Sequence, residues 1–406
     1  MSKSGHDILF VSMENWDEVW RRNQFLCAGY AERHPERKIV FVVPPMDVTN
    51  AIRRGCPSAL RGPRTWTVPQ YPNITVTQPL KLAPNTFTAG RRLNEAMTRA
   101  HVIKVARRLE IEHPLLWLNP HWATHMAGKM DEVAVIYDIT DDWTALTQSP
   151  AATQIVRMQD DELSRRADAV IVCSQRLFEI KSRTARHLYL VPNGVDAEHY
   201  RYVSGGEGAL PYEAERWPRP ILGYTGTIHP DRVDVDLLKS VAKNWNGSIV
   251  LIGPCHLLAP DKAKLDLPNL FLAGAVPYSR LPDYMRAFDA CIVPHKATPF
   301  TESLNPIKLW EYLAAGKPIV STDVAGFRDY PQLVRIARDV EEFVSAAYSA
   351  LSEDAMTAGL RQAEAKRHSW HDRLDQIEAV IEESIARKSP EYSPQAANRT
   401  INEVPV

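Results

Sequence analysis

The sequence predicts an α/β protein of two Rossmann-like, doubly wound domains that face each other across a cleft. Three observations carry this expectation. The chain has 406 residues, long for one core and enough for two domains of about 200 residues each. Short apolar runs alternate with segments of helical periodicity, the pattern of parallel sheets covered by helices. Between the halves lie Ser204-Gly205-Gly206-Glu207-Gly208, Pro211 and Trp217-Pro218-Arg219-Pro220, whose composition suits a linker. The expected division is a first domain over 1–200, a linker over 201–219, a second domain over 220–368, a helix over 369–388 that crosses back, and a loose tail over 389–406.

Taken in order, the first half offers strands at Ile8–Ser12, Ile39–Val43, Leu115–Leu118, Val133–Tyr137, Ala169–Cys173 and Leu188–Val191. Each is apolar on both faces, as strands of a parallel sheet are. Asn193-Gly194, just after the last, predicts a turn with positive φ that swings the chain towards the linker. The second half repeats the scheme at Ile221–Tyr224, Ser248–Ile252, Leu270–Ala273, Ala290–Val293 and Pro318–Ser321. Gly226, in the turn after Ile221–Tyr224, lets the backbone come close to a ligand, and the N–H groups around Thr227 can meet a phosphate, with Arg232 nearby as a cation. Asp234-Val235-Asp236 is not a metal chelate, because residues two apart on a helix face different directions; Asp234 reads as a helix cap.

Composition narrows the function. Five cysteines (Cys27, Cys56, Cys173, Cys255, Cys291) lack C-x-x-C or metal-ligand spacing, which suits a reducing compartment. The chain enters Ile8-Leu9-Phe10-Val11 almost at once, without a signal-like apolar region or a run near 18 apolar residues. A cytoplasmic location follows as the expectation, with any membrane contact peripheral. The net charge of −1 hides an asymmetry: residues 1–130 hold 18 Lys and Arg against 10 Asp and Glu. The excess includes Arg53-Arg54, Arg61, Arg64, Arg91-Arg92, Arg99, Lys104 and Arg107-Arg108, interleaved with Trp66, Leu80, Leu82 and Phe87. That pattern suits an anionic membrane surface carrying a lipid-linked acceptor, or a solvated helix face over 91–110. No stacking platform for nucleic acid is present.

The most informative stretch runs from Asn305 to Thr322. It leaves an apolar strand, winds a short helix with Leu309, Tyr312 and Leu313 on one face, stops at Gly316 and enters the next strand. Such a loop aims backbone N–H groups and Lys308 beyond the sheet's carboxyl edge, and Glu311, one turn on, can accept hydrogen bonds from a diol. A phosphorylated sugar is the ligand this chemistry fits.

The arrangement resembles the donor-binding segment of GT-B glycosyltransferases of the family-4-like group, in particular the exopolysaccharide and teichuronic-acid branch with an N-P-x-K-x-x-E-Y-L-A loop. The resemblance extends to Ala167-Asp168-Ala169-Val170-Ile171, to Val191-Pro192-Asn193-Gly194-Val195-Asp196, and to Gly274-Ala275-Val276-Pro277. It implies a nucleotide-diphosphate sugar bound by Gly226, Thr227, Arg232, Asn305, Ile307, Lys308 and Glu311, with the nucleobase edge read at Val276 and Pro277. One departure stands out. Where the group's E-x7-E motif has its first carboxylate, this chain has Ser303, with Glu302 beside it.

In the first domain the resemblance points to Val135-Ile136-Tyr137-Asp138-Ile139-Thr140-Asp141-Asp142-Trp143, where Asp141 matches a proposed base. An inverting transfer needs a base for the acceptor hydroxyl; an Asx-rich turn capping the next helix is the alternative. His121, in Leu118-Asn119-Pro120-His121, matches a histidine that retaining relatives place near the donor sugar. Arg22 and Asn23 match the acceptor-side entry of the family, and an amphipathic helix packed through Trp20 and Phe25 explains the same letters. The expectation is a metal-independent glycosyltransferase without a cofactor, acting in cell-surface glycan synthesis at the inner face of the membrane. A catalytically weak nucleotide-sugar-binding protein, or transfer to a soluble small acceptor, are the alternatives.

Overall fold

A computed structural model describes residues 5–53, 55, 62, 64–85, 87–205 and 210–388. In the first half its strands are β1 (Ile8–Val11), β2 (Ile39–Val42), β3 (Met46–Asp47), β4 (Thr65–Val68), β5 (Tyr71–Thr77), β6 (Leu80–Lys81), β7 (Leu115–Leu118), β8 (Ala134–Ile139), β9 (Ala169–Val172) and β10 (Leu188–Leu190). The second half holds β11 (Ile221–Thr225), β12 (Ser248–Ile252), β13 (Leu270–Gly274), β14 (Ala290–Val293), β15 (Ile319–Thr322) and β16 (Arg335–Ala337).

Among the described residues these strands form two large sheets and a small ribbon of β3 and β6. The first sheet runs β10-β9-β8-β7-β1-β2-β5-β4, parallel except for β4. The second runs β13-β12-β11-β14-β15-β16, parallel throughout. Both reverse strand order beside their first strand, between β1 and β7 and between β11 and β14, and in open parallel sheets ligands bind at such a reversal beyond the carboxyl ends. The loops after β1, β7, β11 and β14 are thereby marked before any side chain is considered.

Packing fixes these sheets. Phe10 stacks on Phe41 at 5.3 Å and tilts against Trp117 at 5.1 Å, all three fully buried across adjacent strands. In the second sheet a Cβ at Gly223 would sit 2.0 Å from the Phe288 ring, so only glycine fits there. The helix Trp370–Ala386, capped by Ser369, returns to the first domain. It lies along Arg22–Arg33, where Phe25 stacks on Trp370 at 4.8 Å and Arg33 reaches Asp375 at 2.7 Å.

Several expectations need correction. Gly194 is not in the left-handed region; it is glycine because a Cβ there would come within 2.9 Å of the Trp370 amide, where the crossing helix begins. The hairpin β4–β5, the ribbon β3–β6 and the edge strand β16 were not expected. In the described part of the linker, Tyr212–Arg216 winds a short 3-10 turn and Trp217 is buried. Arg54, Arg61, residues 206–209 of the linker and the tail 389–406 lie outside the described residues.

Candidate active site

The carboxyl edges of the two sheets enclose a cavity of about 470 Å³, lined from both domains. Its second-domain wall is built by the turn after β11 and the helix Ile307–Ala314. Gly226 has φ +134°, and a Cβ there would lie 2.6 Å from Lys308 Nζ, so the glycine makes room for the ammonium. Lys308 lies over the Tyr224 ring at 5.2 Å. Burial, and then the nearby Arg232 guanidinium, hold its pKa below the usual lysine range. Arg232 sits over the Phe300 ring at 5.2 Å. Two cations therefore face one space lined also by the Gly226-Thr227 turn, which is an anion site by charge and geometry.

Glu311 stands one turn beyond Lys308 and is 8% exposed. Tyr200 donates to its Oε1 at 3.0 Å, leaving Oε2 free of any protein hydrogen bond described. Burial raises its pKa, while the Tyr200 hydroxyl and Lys308 pull it down. His295, just after β14, is 3% exposed and faces Tyr224 Oη at 3.3 Å. Its desolvation, with Lys308 and Arg232 close by, drives its pKa well down, so it is a neutral imidazole beside the cations. Val276 lines the same cavity, and Pro277 lies just outside it.

The first-domain wall comes from the loops after β1 and β8. Asp141 lines the cavity and accepts from Arg232 Nη2 at 3.0 Å, an ion pair that spans the cleft. Other contacts join the domains: Tyr278 donates from its amide to Glu18 O at 2.8 Å, and its ring stacks on Trp20 at 5.7 Å. Asn305 lines the cavity but also takes the Asn193 amide at 2.8 Å, so it ties the halves together at the cavity floor.

Residues 219–353 match the family described as Glycosyl transferases group 1. That span includes Gly226, Arg232, Lys308 and Glu311. The chain carries a group 1 glycosyltransferase domain. It is 28% identical over 214 residues to the putative teichuronic acid biosynthesis glycosyltransferase TuaH of Bacillus subtilis, an alignment covering 47% of this chain and 50% of that protein. The match thus spans about half the length of this curated relative. The fold as a whole is GT-B: the structure overlays sucrose-phosphate synthase of Thermosynechococcus elongatus with a TM-score of 0.70 at 14% identity, covering 94% of this chain and all of that one. Anabaena HepE, solved in complex with UDP-glucose, overlays with a TM-score of 0.65 at 16% identity over 93% of this chain and all of that one.

Against this glycosyltransferase frame, some expected residues come together and others do not. Gly226, Thr227, Arg232, Val276, Asn305, Ile307, Lys308, Glu311 and Asp141 all line the cavity. His121 does not. Its Nδ1 pairs with Gln159 Oε1 at 3.1 Å, and burial lowers its pKa, so it is a neutral residue turned to the helix Pro150–Arg166 rather than the cleft. Arg22 reaches the cavity floor, but its Nε grips Asp138 at 3.1 and 3.2 Å and its Nη1 donates to Pro192 O and Asn193 Oδ1. Asn23 is one layer behind, donating to Ser12 Oγ and Asn119 Oδ1, both at 3.0 Å. The three-carboxylate segment separates likewise: Asp138 is fully buried within β8, Asp142 caps Thr144, and Asp141 alone of the three faces the cavity.

Ser303, at the position of the missing carboxylate, is fully buried; its Oγ donates to Phe300 O at 2.7 Å and accepts the Asp142 amide at 3.3 Å. Glu302 points outward into a bidentate pair with Arg328, both contacts at 2.8 Å. Sequence reasoning missed Glu14, Tyr200 and His295. Glu14 and His295 each follow a buried strand by two or three positions, a signal that was available; Tyr200 lies far in sequence from the carboxylate it holds.

Proposed function

We propose that the protein transfers a sugar from a nucleotide diphosphate to an acceptor hydroxyl in glycan biosynthesis. The observation that carries this reading is the convergence of Lys308, Arg232 and the Gly226-Thr227 turn on one space, with Glu311 beside it and a carboxylate-bearing wall opposite. In this reading the two cations neutralise the leaving diphosphate and Glu311 Oε2 accepts from the ribose diol. Val276 and Pro277 border the nucleobase. Arg22 and Asn23 act on the acceptor side by fixing the loop after β1. Calorimetry with UDP, GDP and ADP tests the donor half. One nucleotide should bind, and Glu311→Gln should weaken it about tenfold, the scale of one lost hydrogen bond to a charged group. Absence of binding by all three would remove the reading.

One surface favours a lipid-linked rather than a soluble acceptor. Exposed Ile52, Leu82, Phe87 and Leu93 lie in the segments around the β3–β6 ribbon and the start of the helix Thr88–Arg108, together with exposed Arg53 and Arg92. Apolar side chains beside arginines suit the boundary of an anionic bilayer. No helix among the described residues is long and apolar enough to cross a membrane. Co-sedimentation with phosphatidylglycerol vesicles should be strong at low salt and fall as salt rises, because screening shortens to about 3 Å near 1 M. Phe87→Asp should weaken it at every salt concentration. Indifference to such vesicles at low salt would return the acceptor to solution.

A further inference from the structure

We infer that Trp143, in the loop after β8, is the platform on which the acceptor rests, and that the end of the acceptor it receives is a neutral sugar ring rather than a lipid phosphate. The inference rests on the glycosyl-transfer reading and deepens it by naming the acceptor's chemistry.

Four Trp, Tyr and Phe rings line the cavity. Three are engaged: Trp20 and Tyr278 stack on each other at 5.7 Å, and Phe300 carries the Arg232 guanidinium at 5.2 Å. The half-buried ring of Trp143 stacks on no other ring among the described residues. Its Nε1 is covered and has no hydrogen-bond partner, so the surface it offers the cavity is carbon rather than a donor. The backbone around it is pinned on both sides. The Asp142 amide donates across the cleft to Ser303 Oγ at 3.3 Å, the Trp143 amide to Asp141 O at 3.1 Å, and Gln148 Nε2 to Trp143 O at 3.0 Å. A ring held in this way is a preformed surface that loses little freedom on binding.

An indole face carries the negative side of the ring quadrupole, and the C–H bonds on one face of a pyranose are made positive by their oxygens, so the two stack while the sugar hydroxyls stay free at the rim. Carboxylates accept those hydroxyls. Glu14, on the same wall, has two long contacts, Asn23 Nδ2 at 3.4 Å and Arg21 Nε at 3.5 Å, and keeps 34% of its side-chain surface open. Charge argues against the other acceptor. Glu14, Asp17 and Asp141 all stand on the first-domain wall. One arginine, Arg21, is shared by Asp17 at 3.1 Å and Glu14 at 3.5 Å, and Asp141 draws on Arg232 from the opposite wall. Arg22 is neutralised by the buried Asp138. A phosphate monoester entering on this side would meet carboxylates whose cations are already engaged, and like charges brought together cost affinity. Uncharged hydroxyls meet no such penalty. If a lipid carries the acceptor, it must already bear a sugar, and a separate transferase acting on a lipid phosphate must supply that substrate.

Saturation-transfer NMR on protein saturated with the nucleotide it binds tests the assignment. The probes are methyl glycosides of glucose, galactose, mannose, N-acetylglucosamine and N-acetylgalactosamine, set against dimethylallyl phosphate. At least one glycoside should bind, with saturation reaching the ring C–H protons of one face more than the methyl group, and dimethylallyl phosphate should not bind. Trp143→Leu should weaken that glycoside about three- to tenfold, Trp143→Phe should hold it within about twofold, and neither should move nucleotide affinity. Binding of dimethylallyl phosphate, binding of no glycoside, wild-type glycoside affinity in Trp143→Leu, equal losses in the Leu and Phe variants, or a parallel loss of nucleotide affinity would each overturn the assignment. Failure of the wild type to bind any nucleotide marks the glycosyl-transfer reading itself as the one at fault.

Discussion

Lys308→Ala should weaken nucleotide-diphosphate binding by about 10–100-fold, the loss of a charge-assisted contact worth roughly 1.5–3 kcal/mol. The ammonium is already drawn into the site by the geometry around Gly226, so little reorganisation is needed on binding. Gly226→Ala should do comparable damage without touching a charge, since its methyl would occupy the space of Lys308 Nζ and its φ of +134° disfavours any side chain. The pH dependence has a definite sign. Only the protonated amine pairs with diphosphate, and burial and Arg232 hold its pKa low. Affinity should therefore be full at neutral pH and fall on the alkaline side, earlier than for an ordinary lysine, and Lys308→Arg should flatten that fall. Calorimetry across the pH range with the three variants checks this. Near-wild-type affinity in Lys308→Ala would detach the lysine from donor binding.

Arg22→Ala should destabilise the first domain by about 3–5 kcal/mol. The guanidinium is 2% exposed and Asp138 fully buried, so truncation leaves an unpaired carboxylate inside the sheet. Desolvation, rather than the strength of the pair, sets that cost. Replacing both partners at once, as in Arg22→Met with Asp138→Leu, should recover much of the stability, because neither charge then remains buried. Urea unfolding of the single and double variants separates these contributions. Equal losses in both would mean that the contacts from Arg22 to Pro192 and Asn193 matter more than the pair.

The central strands and the second-domain residues that line the cavity were legible in the sequence because each depends on local pattern. Apolar runs such as Leu115–Leu118 and Ser248–Ile252 are buried on both faces and announce themselves, and the spacing of Lys308 and Glu311 on one helix survives any tertiary context. The hairpin of β4 and β5 was hidden by threonines, an asparagine and Pro72, which weaken the apolar signal although Trp66 and Val68 alternate as an edge strand requires. His121 follows a strand as ligand-binding residues do and Asn23 opens the helix Arg22–Arg33, yet each turns to a partner brought close only by the fold. Asp141 lines the cavity, but Arg232, which engages it, lies across the cleft from it, and no local pattern encodes that pairing. The same limit hid Tyr200.

The buried hydroxyl of Ser303 has a consequence for how such an enzyme could be re-engineered. With Ser303 bonded to Phe300 and Asp142, and Glu302 turned away to Arg328, neither of these two residues presents a free carboxylate to the transferred sugar. Apart from Glu311, the carboxylates that line the cavity then belong to the first-domain wall, beside the loops that would receive the acceptor. Nucleotide choice and sugar choice would be inherited separately. In chimaeras that exchange whole domains with a related enzyme, the nucleotide preference should travel with the half that begins at Ile221. The preferred sugar should travel with the half that carries Glu14 and Asp141.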